Sequence, residues 1–95
     1  MIDFSRKLMT LDNTPLTMTG EDVTLRLVVV NALLAPADIS GTDKMKRFLL
    51  AQKIHESTEE VKLLPEELVL IKDLIGKAYS PLFVGRAYQI LNGGG

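Results

Sequence analysis

Cysteine is absent from all 95 positions, which rules out a disulfide framework and any thiolate metal site. That composition fits a reducing compartment. Histidine occurs once, as His55, followed by Glu56 at the polar end of a predicted helix. A Ser-His-Asp arrangement needs its histidine beside a nucleophile, and zinc needs more N or S ligands than one histidine supplies. His55 reads instead as a cation near helical carbonyls or as a plain surface residue. An excess of charge is lacking too: eleven basic residues against twelve acidic ones leave a formal charge of −1. Nucleic-acid binding depends on a local surplus of Lys and Arg. The densest basic patch, Lys44, Lys46 and Arg47, follows Asp43 and reads as a solvated helix face.

Long apolar runs are missing as well. The longest, Leu27 to Val30 and Ala32 to Pro36, are divided by Asn31 and fall far short of the ~20 residues that cross a bilayer. No apolar stretch follows the charges of Met-Ile-Asp-Phe-Ser-Arg-Lys at the N-terminus, so no secretory signal is expected. The phosphate-cradling Gly-rich loop is also missing, because Gly93-Gly94-Gly95 precedes no helix. Glu59-Glu60 and Glu66-Glu67 are paired acids, but adjacent residues on a helix diverge, so neither pair chelates alone. No cofactor is expected, and the chain is not expected to be an enzyme.

What is present is the material of one globular domain. An apolar share of 46% with 24% charged residues separates the chain from disordered sequences, and its length suits a single domain over 1–95. Over residues 6–18, Leu, Met and Thr flank Asp12-Asn13, which predicts a β-hairpin turning there. Pro15 lacks an N–H, so its strand is an edge or leaves that position unpaired. The helical part is expected over 24–92, with 93–95 a flexible tail. The first helix, Leu25 to Ala35, is capped by Thr24 and stopped before Pro36. Apolar nearly all round, it is expected at the centre. The second runs from Asp43 to about His55 behind a Ser40 or Thr42 cap. Met45, Phe48, Leu49, Gln52 and Ile54 are its inward positions, and Lys44, Lys46, Arg47 and Lys53 face water.

Leu64-Pro65-Glu66-Glu67 begins a third helix with Leu68, Ile71, Leu74 and Ile75 on one face and an exit at Gly76. Ser80-Pro81 begins a fourth, Leu82 to Asn92. The predicted class is mainly α (α+β), about four helices with a short N-terminal hairpin.

The segment 66–91 has the outline of a helix-turn-helix, and Arg86, Gln89 and Asn92 are the groups that could read bases from its second helix. A small DNA-binding transcriptional regulator is therefore the alternative reading. Leu82, Phe83, Val84 and Tyr88 are more apolar than one core face requires, which points instead to a surface buried in an oligomer or against a partner. Phe83, Arg86, Tyr88 and Leu82 are the expected partner-binding residues, since aromatics and arginine anchor interfaces.

The succession Leu11-Asp12-Asn13-Thr14-Pro15-Leu16, Val30-Asn31-Ala32-Leu33-Leu34, Lys46-Arg47-Phe48, Ala51-Gln52-Lys53-Ile54, Ile71-Lys72-Asp73-Leu74-Ile75-Gly76-Lys77 and Val84-Gly85-Arg86-Ala87-Tyr88 resembles short proteins encoded in tailed-bacteriophage and prophage genomes. The likeness spans most of the chain and carries no catalytic signature. It implies a phage origin, a setting in the bacterial host cytoplasm or the virion, and work done through protein contacts. Assembly factors, minor virion components and modulators of a host protein all fit. Its expected partner is a protein, either a second copy or a phage or host chain, with nucleic acid and membrane not expected.

Overall fold

The computed structural model describes residues 1–93, so residues 94 and 95 of the expected tail lie outside the described residues. Gly93 itself closes the last turn: its N–H donates to the Ile90 carbonyl at 2.9 Å, with φ at +79°.

Two antiparallel strands, β1 (Thr17–Met18) and β2 (Glu21–Asp22), precede α1 (Leu25–Leu34), α2 (Gly41–Glu56), α3 (Pro65–Ala78) and α4 (Pro81–Leu91). The class is mainly α with a short N-terminal β-hairpin. The hairpin lies further along than the 6–18 expected for it. Its turn is Thr19-Gly20, where φ is +51° and +83°, the positive values that two-residue hairpin turns demand. A turn does form at Asp12-Asn13, with Asn13 at φ +62° and the Thr10 N–H bonded to the Thr14 carbonyl at 2.7 Å. Its arms pair only as one isolated bridge, Met9 with Pro15, because the Leu8 N–H that would extend the ladder to Leu16 donates to Val23 instead.

Backbone bonds within the N-terminal chain close a ring. Leu8 donates to Val23, Val23 to Leu16 and Leu16 to Leu8, each at 2.8 Å. Leu8 and Val23 are thereby turned into the core, where Phe4 is also fully buried. A further bridge ties Ile2 to Val61, so the first residues and the α2–α3 connection share one edge.

Local chemistry explains the helix boundaries. The Thr24 hydroxyl accepts from the Leu27 N–H at 3.2 Å, and α1 ends where Pro36 forces the preceding residue into an extended conformation. Ser40 caps α2 by accepting from the Asp43 N–H at 3.1 Å, starting the helix two residues before its expected position. Pro65 opens α3, and the Glu67 carboxylate accepts from the Leu64 N–H at 2.8 Å. This is half a capping box, since Leu64 has no side-chain acceptor. Gly76 does not end α3, which runs on to Ala78; the missing Cβ makes room for the Tyr88 hydroxyl, only 3.0 Å from where that atom would stand.

α1 is the central helix, packed against both α2 and α3, while α3 also packs on α4. Leu25, Val28, Val29, Ala32 and Leu33 fill the core from α1, but Leu27 and Leu34 remain exposed, so its burial is not all round. A continuous core runs from Ile2 to Leu91.

Candidate interaction surface

The four residues expected to bind a partner all lie on α4, and each is half-buried. Arg86 is turned inward. Its Nη2 donates to the Thr10 carbonyl at 2.8 Å and its Nε to the Met9 carbonyl at 3.2 Å, so the guanidinium holds the Asp12-Asn13 turn from below. Its Nη1 donates to Gln89 Oε1 at 3.3 Å, which occupies the two groups a DNA-reading helix would need. Tyr88 reaches the other way and donates its hydroxyl to the Lys72 carbonyl at 2.5 Å, with the Lys72 ammonium 5.8 Å from its ring centroid. Phe83 stacks on Tyr79 with ring centroids 5.5 Å apart and packs against the core. Leu82 is half-buried beside them. The last helix spends its aromatic and arginine side chains inside the molecule.

The exposed apolar surface is on α2, and there the inward assignment of Met45, Phe48 and Leu49 is corrected. These residues keep 52%, 47% and 51% of their surface in water, whereas Leu50 keeps 6% and Ala51 and Ile54 less. α2 carries two stripes of helical spacing: 47, 50, 51 and 54 toward α1, and 45, 48, 49 and 52 away from it. At about 100° per residue the two stripes lie on nearly opposite sides of the helix. Only the inner stripe is covered; within Gly41 to Leu49, Arg47 is half-buried and every other residue is exposed. Two turns of helix therefore stand clear of the core with an apolar side facing water.

Neighbouring elements extend this face in two directions. Toward α1, Phe48 borders a groove with Val30, Leu34 and Ala51, and His55 and Glu56 stand at its end. Toward α3, Leu49 and Leu50 share a groove with Leu64 and Leu70. Leu34 and Leu64 are more than half exposed. Two rows of opposite charge edge the second groove: Lys46 and Lys53 on the α2 side, Glu66 and Glu67 at the start of α3. Lys7 pairs with Asp22 and Lys77 with Asp73, while among the described residues Lys46, Lys53 and Glu66 have no ion-pair partner.

Arg26 holds the far end of α2. Its guanidinium donates to the Ile54 carbonyl at 3.2 Å and the Ser57 carbonyl at 2.8 Å, satisfying carbonyls that the helix end leaves unpaired. His55 is exposed on the last turn of α2. Among the described residues no cluster of three or more His, Cys, Asp or Glu could hold a metal ion. The Asp3 carboxylate accepts from the Ser5 hydroxyl at 2.5 Å and the Ser5 N–H at 2.9 Å, which holds it below the usual carboxylate range. This is a turn-stabilising contact at an exposed site and does not mark a reactive group. No helix among the described residues is long and apolar enough to cross a membrane.

Spacing alone could not choose between the two stripes, because both have it. Arg47 sits in the buried one and disguises it. Comparison with protein-family models, curated proteins and solved structures gives no match.

Proposed function

We propose that this chain is a non-catalytic protein-interaction protein that works by docking the outer side of α2 against another protein chain. One observation carries the reading: Met45, Phe48 and Leu49 form an exposed apolar stripe on a helix whose opposite stripe already satisfies the core. Scattered exposed apolar residues are ordinary on protein surfaces. A helically spaced set, extended by Leu34 on one side and Leu64 on the other, has the pattern with which helices pack on helices. In the phage setting that the sequence resemblance implies, such a surface suits an assembly factor, a minor virion component or a modulator of a host protein.

The test is site-specific photo-crosslinking in a bacterial host, with a photoreactive phenylalanine analogue at position 45, 49 or 11 in turn. Leu11 is the control, being 83% exposed at the tip of the Asp12-Asn13 turn and far from α2 in the chain. Discrete protein adducts from 45 and 49 but not from 11 are expected. Equal labelling from all three positions, or adducts from position 11 alone, would refute the assignment.

A further inference from the structure

We propose that the occupant of the α2 face is a second copy of this chain, related to the first by a two-fold axis that runs along the groove between α2 and the start of α3. This rests on the reading of α2 as a contact surface and adds who the partner is.

The argument is charge order. Lys46 and Lys53 line the groove from α2, and Glu66 and Glu67 line it from the start of α3. Rotation by 180° about an axis lying along the groove exchanges its two sides. The basic side of each copy then covers the acidic side of the other. An isologous contact needs such self-complementarity, and here it follows from a single groove. A two-fold axis across the groove would set lysine over lysine, so the charges select the orientation as well as the partner.

Other occupants fit less well. An anionic surface, whether phosphate backbone or lipid headgroup, is attracted by the lysines and repelled by the glutamates in the same groove. A foreign helix would have to bring both signs in mirrored order, which a second copy does automatically. The charges are also available, because among the described residues Lys46, Lys53 and Glu66 are spent on no ion pair.

Size sets the expected strength. α2 has 16 residues and is therefore about 24 Å long, and with the start of α3 beside it the face is about two helix diameters wide. A footprint of roughly 500 Å² per copy lies at the weak end of specific interfaces. The pair should therefore be reversible, with dissociation in the micromolar range.

The experiment is sedimentation equilibrium of the whole chain from about 1 µM to about 1 mM, a range chosen to bracket micromolar dissociation. The mass should rise with concentration from the 10.5 kDa of one chain toward twice that value. Lys46→Glu with Lys53→Glu makes both sides acidic and should weaken self-association at least about tenfold. Glu66→Lys weakens it in the opposite sense. Glu67 is left in place because it bonds the Leu64 N–H. An equimolar mixture of the two variants should then regain the wild-type mass, since each supplies the side the other lacks. Far-UV circular dichroism of each variant checks that the exposed substitutions leave the fold intact.

A wild-type chain that stays monomeric to 1 mM overturns self-docking. So do charge variants that associate as well alone as when mixed. If the chain is monomeric while positions 45 and 49 still crosslink to a foreign protein, only the identity of the partner fails. If nothing crosslinks from those positions, the interaction reading fails with it.

Discussion

Leu49 and Leu50 are chemically identical neighbours that the structure places on opposite accounts of α2, so replacing each by alanine is a direct test of which stripe is core. Leu50 retains 6% of its exposure and Leu49 51%. Removing a buried leucine side chain loses its transfer free energy and leaves a cavity, about 2–5 kcal/mol in all. Leu50 lies where α2 meets α1 but also borders the groove toward α3, so partial collapse is possible there and about 2–3 kcal/mol is expected. Leu49→Ala opens no cavity, because water already reaches the site. It forfeits only the half of the side chain that is covered, roughly 0.5–1 kcal/mol, and alanine's slightly better helix propensity offsets part of that. At ~4–8 °C per kcal/mol for a domain of this size, Leu50→Ala should lower Tm by at least about 8 °C and Leu49→Ala by less than about 8 °C, with Leu50→Ala the larger by at least about twofold. Urea unfolding followed by far-UV circular dichroism at a few micromolar (about the low end of the association range) keeps self-docking from adding to Leu49. Equal costs, or a larger cost at Leu49, would mean that the outer stripe is the core stripe and would remove the basis for any contact through α2.

Two other substitutions test how the remainder of the chain is fastened. Arg86→Ala deletes charge-assisted bonds to the Met9 and Thr10 carbonyls at a half-buried site and should cost about 2 kcal/mol in urea unfolding. Arg86→Lys should recover less than half of that, since one ammonium cannot span both carbonyls as the guanidinium fork does; full recovery would show that charge alone matters there. Gly76→Ala should be about 1 kcal/mol more favourable in a Tyr88→Phe background than in the wild type. Removing the hydroxyl clears the place of the new Cβ and lets alanine's helix propensity register. Additive effects in the two backgrounds would show that Gly76 and Tyr88 are not in close contact.

The helices were legible because their ends are written in local chemistry. Thr24 and Ser40 as caps, Pro65 as a first helical residue and Pro36 as a stop depend on a few adjacent atoms, and each stands where the sequence placed it. The hairpin was misplaced because its turn was sought at Asp12-Asn13, the residues that best tolerate positive φ. The chain adopts positive φ there and again at Thr19-Gly20, but behind the first turn the Leu8 N–H is given to Val23 rather than to Leu16, so only the second turn joins a ladder of consecutive pairs. The error on α2 is different in kind. Which of two equally spaced stripes faces inward depends on where α1 lies, a long-range fact that no window of sequence contains. The surplus of aromatic and arginine side chains on α4 was real as composition. Its use is internal, because Arg86 finds carbonyls 76 and 77 residues away in the chain.

These placements bear on why the contact surface should be on α2 rather than elsewhere. The long-range side-chain bonds lie at α4 and at the two ends of the chain's irregular segments. Arg86 fastens the first turn, Tyr88 fastens α4 to α3, and Arg26 fastens the last turn of α2. A partner competing for α4 would have to displace bonds already made and would leave backbone carbonyls unsatisfied. The first two turns of α2 impose no such cost. Among the described residues their polar anchor is the Ser40 cap, which lies at the end of the helix and is left intact when the outer stripe is covered. The same face offers apolar area together with lysines and a glutamate that form no ion pair among the described residues, so docking there adds contacts. That asymmetry makes the outer side of α2 the place where association gains most, and it predicts that substitutions on α4 act through stability while those at 45, 48 and 49 act through association.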